Sequence, residues 1–361
     1  MNAEAEQLLH QLVSIASLSG NETAIADAVA ARVQGLGLQV HRQGHNLWFE
    51  VGQGGPRLLV NSHLDTVKAS EGWDTDPVVP TWKGDRLYGL GSNDAKGCVT
   101  AMLCAAEALA EATSTFPGTA VFAFTAEEEN GGLGLATILE QLLPLDAALV
   151  GEPTGLQPVI AQRGMLLLKC TAHGESAHVA HARLGENAIH KAARDIAKLS
   201  AMTFEGHPLL GEARPQVTQV QGGLTRNQVP DCCEFFIDLR TTPNLDQAAL
   251  AQQIQGELES EVRVHSGRYL PKATDALHPI AQAALSASGQ SGFVGSHTTS
   301  DWAFLGPLPT VKVGPGDTHR SHRPNEYLTR KELEDGVAFY TKAIRSYFAL
   351  AAQGKETAHA C

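Results

Sequence analysis

Five short segments of the 361-residue chain carry histidines and carboxylates where they could converge on one site. In NSHLDTV (61–67), His63 and Asp65 follow an apolar run. Positions two apart in a strand point to one side, so both side chains would face a single pocket at the strand's carboxyl end. GLGSNDAKG (89–97) sets Asp94 at the start of a long alanine-rich stretch, and TAEEEN (125–130) puts three glutamates in a row behind a hydrophobic run. VGEPT (150–154) again carries a carboxylate, Glu152, just past an apolar run, and Pro153 restrains it to extended backbone. GDTHRSHRPNE (316–326) presents His319 and His322 among loop residues.

Taken singly, each segment has an ordinary structural explanation. The HxD pair is a polar loop, Asp94 is a helix N-cap beside turn glycines, the three glutamates are a solvated acidic turn, and a loop histidine is a surface histidine. Their joint placement says more, because acidic or imidazole groups stand at or just past the ends of several β-type segments of one expected sheet. That edge is where open α/β sheets hold ligands. Two histidines with several carboxylates form a donor set for zinc or a related divalent ion with a position left for water, and a neighbouring carboxylate suits proton transfer.

The elements that must position these groups follow from periodicity. Apolar spacing predicts helices over 3–15 and 24–36, then short strands over 38–41, 47–51 and 58–61, the last ending just before His63. A proline- and glycine-containing loop follows, then a helix over 95–112, a strand over 119–125, a helix over 133–143 and a strand over 147–150. Strands alternating with helices imply an α/β fold, a mostly parallel sheet flanked by helices. After Arg163 the pattern changes to strand 165–172, helix 188–199, strands 216–221 and 234–240 and helix 245–258, an inserted α+β layer at 165–272. Helices return over 279–288 and 331–350, so residues 1–164 and 273–361 form the other domain, with a frayed tail at 354–361.

Composition narrows the function classes. A net charge of -12 and the absence of a basic run disfavour nucleic acid or an anionic membrane as partner. No stretch approaches the roughly 20 apolar residues of a membrane span, and the acidic N-terminus lacks secretory-signal character, so a cytoplasmic protein is expected. Six cysteines without CxxC pairing suggest neither a disulfide framework nor a thiolate metal site.

With these five motifs in order over nearly the whole chain, the sequence resembles the dinuclear zinc peptidase and deacylase family. That family includes acetylornithine deacetylase, succinyl-diaminopimelate desuccinylase, aminoacylase and glutamate carboxypeptidases. The resemblance implies a zinc exopeptidase-like catalytic domain with an inserted ferredoxin-like dimerisation or lid domain. It makes His63 and Glu152 ligands of one metal, Asp94 the bridging carboxylate, and Glu129 and His322 ligands of the other. Asp65 would orient His63, and Glu128 would be the general base. The family's usual Asp-Glu-Glu stands here as Glu127-Glu128-Glu129, so a register with Glu128 as ligand and Glu127 as base stays open.

In the insertion, GESAHVAHARLGENAIH resembles the family segment whose histidine, here His178, reaches the substrate carbonyl across a dimer interface. His181 and His190 read as helix-flanking and surface histidines. RNQVPDCCEFFIDLR resembles the segment that gives an asparagine and an arginine to the substrate carboxylate, here Asn227 and Arg240, with Arg163 as a third. The wording of SNDAKG, VGEPT, RNQVP and VGPGDTHRSH is most similar to the acetylornithine deacetylase branch. The implied protein is a homodimeric amidohydrolase with two divalent ions, zinc or alternatively cobalt. Its substrate would be a small N-acyl amino acid, with N-acetyl-L-ornithine, on a route to arginine, foremost. N-succinylornithine, N-acetylcitrulline, a carrier-protein lysine or ornithine conjugate, and dipeptides are the alternatives. A silent binding protein on the same fold would have lost ligands or the base, and none is lost.

Overall fold

The computed structural model describes residues 3–111 and 117–358. By internal contacts the chain divides into two compact units, one of Met1–Ile160, Thr274–Val294 and Ser300–Cys361, the other of Ala161–Ala273 and Gly295–Thr299.

The first unit is built on a sheet whose strands lie in the order His41–Gln43, Asn46–Gly52, Thr119–Thr125, Arg57–His63, Ala147–Val150, Thr310–Lys312, Val159–Gln162. The four strands from Thr119–Thr125 to Thr310–Lys312 run parallel, and antiparallel pairs flank them. Every residue of Thr119–Thr125 is buried, as expected for a strand covered on both faces. Lys96–Glu111 buries most of its length because alanine, cysteine and glycine let it approach closely; a Cβ on Gly97 would meet a Leu328 methyl at 2.8 Å. Leu133–Leu142 covers a cluster of Leu59, Val121, Ala148, Val150 and Trp302.

The chain leaves Arg57–His63 for Thr119–Thr125 on one side and then crosses to Ala147–Val150 on the other. That reversal is a topological switch point, and the carboxyl ends of the strands around it carry the motifs.

The second unit has a four-stranded antiparallel sheet in the order Pro215–Gly222, Cys232–Leu239, Met165–His173, Glu261–Tyr269. One face packs on Ala188–Ala201 and Gln247–Glu257 through Leu168, Cys170, Phe235, Ile237 and Ile254. Asn187 and Asp246 cap the two helices with their side-chain oxygens.

Several sequence expectations shift in detail. The strand expected over 38–41 lies at His41–Gln43, and His63 is the last residue of its strand rather than just beyond it. Glu261–Tyr269 was not expected, since an exposed edge strand shows no core-facing alternation. The long loop contains Thr81–Lys83 and Arg86–Tyr88, which pair with each other, and Arg86–Tyr88 also pairs with Tyr327–Thr329. Helix Arg330–Ala358 runs past the expected end and into the segment expected to fray, whose last three residues lie outside the described residues. Residue 112, the expected end of the third helix, also lies outside them. The described cysteines are free thiols. No helix among the described residues is long and apolar enough to cross a membrane.

Candidate metal centre

His63 ends the central strand and Thr125 stands level with it on the neighbouring one. The acidic turn Glu128–Asn130 begins three residues past Thr125, and Glu152 follows Val150 by two. Strand register therefore brings imidazole and carboxylates to one edge. Ligating atoms of His63, Asp94 and Glu129 lie within 4.8 Å of one another, and so do those of His63, Glu128 and Glu152. His322 joins through Nε2, 2.9 Å from Glu129 Oε1 and 3.9 Å from an Asp94 oxygen. Glu127 is in neither group.

Asp65 organises this edge from behind. Fully buried, it faces His63 Nδ1 at 3.4 Å through Oδ1. Its carboxylate also accepts the backbone N–H of Glu128 at 3.1 Å, that of Glu129 at 3.0 Å and the Ser19 hydroxyl at 2.6 Å. One aspartate thus fixes an imidazole and the turn bearing two glutamates.

Asp94 is held differently. Gly91 supplies a φ of 79° just before it, and Glu326 Oε1 accepts the N–H groups of both Asn93 and Asp94 at 2.9 Å. Asn93 in turn pairs with both backbone groups of Asp317, which ties the Asp94 loop to the His322 loop. Arg320 secures that loop on Glu332 at 2.9 and 3.0 Å and stacks over the Tyr327 ring at 4.2 Å. His322 has left-handed backbone, φ 60°, a conformation that a non-glycine residue keeps only when its surroundings enforce it.

Electrostatics mark the cluster as crowded with acids. Burial pushes the Glu152 carboxyl up to about 8, with Asp94 adding to the shift. Burial, then the Glu152 charge, raises Glu128 well above the carboxylate range. The bond to Glu129 lifts His322 to about 9 against the cost of burial. Burial opposes the charged form of His63, but Asp65 and Asp94 outweigh it and hold that form stable well above the usual imidazole range. Acids whose charged forms repel in a buried pocket, with two imidazoles among them, are donors that fit divalent cations.

Four buried charged residues around the site were not singled out from the sequence. Asp301, pushed to about 6 by burial, accepts the Thr125 hydroxyl at 2.7 Å. Lys312 ends its strand beside Glu152, and burial lowers its pKa. Glu326 and Glu22 complete the set. Glu326 closes the GDTHRSHRPNE segment, which could have suggested it, but the others are joined to the site only by the fold. His319 stays on the flank of its loop as a short-turn residue following Asp317.

The residues expected to touch substrate lie in the second unit. His178 Nδ1 accepts the Ala180 N–H at 3.1 Å, which leaves Nε2 as the protonated, donating nitrogen of the neutral ring. Asn227 is exposed, and its carbonyl holds the Val179 N–H at 3.0 Å. Arg240 pairs with Asp238 at 2.9 and 3.1 Å. Arg163 is buried and spends its donors on the carbonyls of Arg240, Leu210 and Glu212 and on His297 Nδ1. Only one N–H remains of its five, and the bond to the Arg240 carbonyl ties Arg163 to that residue. His181 and His190 are exposed.

Residues 59–346 match Peptidase family M20/M25/M40. The chain belongs to that family. M20 membership makes it a metal-dependent hydrolase, and relatives extend over the full length. A succinyl-diaminopimelate desuccinylase of Nitrosococcus oceani is 28% identical, covering 94% of this chain and 97% of its own. Among solved structures, an M20 family metallo-carboxypeptidase of Sulfolobus solfataricus superposes with a TM-score of 0.79 at 19% identity, over 97% of this chain and 100% of its own. A Bacillus subtilis protein described as a dinuclear metal binding M20 peptidase does so with a TM-score of 0.75 at 17% identity, over 96% and 98%. At those identities the structures speak for the fold, a mixed α/β sheet with helices, while the sequence match carries the family.

Proposed function

We propose that this M20 protein hydrolyses the amide bond of a small N-acyl amino acid. The observation that carries the reading is the pair of donor groups sharing His63, one with Asp94 and Glu129, the other with Glu128 and Glu152. In this reading His63 and Glu152 would hold one zinc ion and Glu129 and His322 the other, with Asp94 as the ligand common to both. When bound, such ions supply water activation and Lewis-acid polarisation of the acyl oxygen. Glu128 accepts the proton of the attacking water and returns it to the departing amine. His178, with its proton on Nε2, donates to the developing oxyanion from the second copy of a homodimer. Asn227 and the Arg240 guanidinium take the amino-acid carboxylate, for which Arg240 must share or leave Asp238.

N-acetyl-L-ornithine is the first substrate to test, from the wording of the motifs. Succinyl-diaminopimelate, named by the curated relative, is the second, and dipeptides are favoured by the peptidases among the structural neighbours. The deciding experiment supplies zinc or cobalt and measures amine release from acetylornithine, succinylornithine, acetylcitrulline, succinyl-diaminopimelate and dipeptides side by side. Turnover of an acyl amino acid that stops with chelator is the expected result. Turnover of dipeptides alone moves the reading to a dipeptidase, and inertness towards all of them with metal bound defeats it.

A further inference from the structure

Three successive backbone N–H groups of the acidic turn each point at a carboxylate from elsewhere in the chain. Those of Glu128 and Glu129 donate to Asp65, as described. That of Glu127 donates at 3.0 Å to Oε1 of Glu22, which lies 105 residues earlier and also accepts the Gly20 N–H at 2.9 Å. Glu22 is fully buried, and its Oε2 meets no hydrogen-bond partner among the described residues. Burying a carboxyl with one oxygen unpaired is costly, and packing alone would be better served by an apolar side chain.

What Glu22 holds is unusual backbone. Glu127 has φ 59° and ψ 21°, the left-handed region that a non-glycine residue keeps only when its surroundings enforce it. The segment around Glu22 is itself stitched to the site. Ser19 donates to Asp65, and Leu18 bridges Thr66.

We propose that Glu22 is a positioning residue for the reaction. Its Oε1 pins Glu127 in left-handed backbone and thereby fixes which two of the three successive glutamates turn towards His63. The proposal rests on the assignment of Glu128 and Glu129 above.

The test compares Glu22→Ala, Glu22→Gln and Glu22→Asp in the full-length, zinc-loaded protein. In Glu22→Ala, kcat should fall about 10- to 100-fold with KM within about 3-fold, the pattern of a displaced catalytic group. Glu22→Gln keeps an oxygen for both N–H groups and should return kcat to within about 3-fold of the parent. Glu22→Asp keeps the charge but withdraws the oxygen by one methylene, so it should behave like alanine. It decides the matter if the alanine variant does not fold. Calorimetric titration of the metal-free variants with zinc gives a second readout, in which Ala and Asp weaken a binding step and Gln does not. Parent-like kcat in Ala or Asp overturns the proposal, as does a Gln variant as impaired as Ala. Glu128→Gln run in parallel separates the two readings. Full turnover there defeats the base assignment itself, whereas a dead Glu128→Gln beside a fully active Glu22→Ala defeats only the role of Glu22.

Discussion

The candidate centre has two sides built by different means. His63 and Glu152 stand at or just past parallel strand ends, where ladder register sets their separation, and His63 is only 2% exposed. His322 rides on a loop, is 53% exposed, and meets Glu129 from left-handed backbone. On the strand side, two buried carboxylates, Asp65 and Glu22, hold a histidine and a turn. The loop side needs Arg320 on Glu332, Asn93 on Asp317 and Glu326 on the Asp94 backbone. Sheet edges deliver ligands as a by-product of pairing, whereas loops deliver them only when strapped at several points.

The largest expected effect tests the strand side at its acidic turn. Glu128→Gln should lower kcat about 10²- to 10⁴-fold with metal content unchanged. Undiminished turnover would remove Glu128 from the chemistry, whereas zinc lost from the variant by elemental analysis would make it a ligand and favour the other register of the run. Next in size is the contrast between the sides. His63→Ala should weaken zinc binding by more than about 100-fold in calorimetry, and His322→Ala by less, since the first histidine is buried against Asp65 and the second is half exposed on its loop. Equal losses would dissolve the distinction between a strand side and a loop side.

The smallest effect concerns stability without metal. Glu152 and Glu326, both raised to about 8 from an ordinary 4.5, bind protons more tightly folded than unfolded. Their contribution is full below about pH 4.5 and is lost as pH rises through about 8. His322, raised to about 9 from 6.5, acts in the same direction over its own window. The melting temperature of the chelator-treated protein should therefore fall between about pH 5 and 8. Zinc requires deprotonated ligands and should abolish or reverse that slope. A metal-free protein equally stable across that range falsifies the crowding on which the fit to cations rests.

Much of the strand side was legible because its chemistry sits beside its structure. A run such as TAVFAFT announces a buried strand, and the glutamates follow it directly, so position and residue type are read together. What stayed hidden depends on contacts far apart in the chain. Glu22 meets Glu127 and Asp301 meets Thr125 across 105 and 176 residues, and no periodicity in one sequence encodes either meeting. The partners of Arg163 are hidden in the same way, since only the fold brings the carbonyls of Leu210 and Glu212 within its reach. The edge strand Glu261–Tyr269 escaped for another reason, since solvent on most of its residues removes the alternation that marks a strand.

The strand Thr310–Lys312 lies between Ala147–Val150 and Val159–Gln162, although it comes about 150 residues after them. A ribosome making this chain therefore releases most of the sheet before the strand that fills its gap exists. Until then the Ala147–Val150 edge lacks its parallel neighbour, a long-range closure of the kind that folds slowly and leaves apolar edges open to other chains. Lys312 and the His322 loop arrive with that late strand. Completing the sheet and completing the metal centre are thus the same event in biosynthesis, and a nascent chain stopped before residue 310 would hold the His63 half of the site with no loop to answer it.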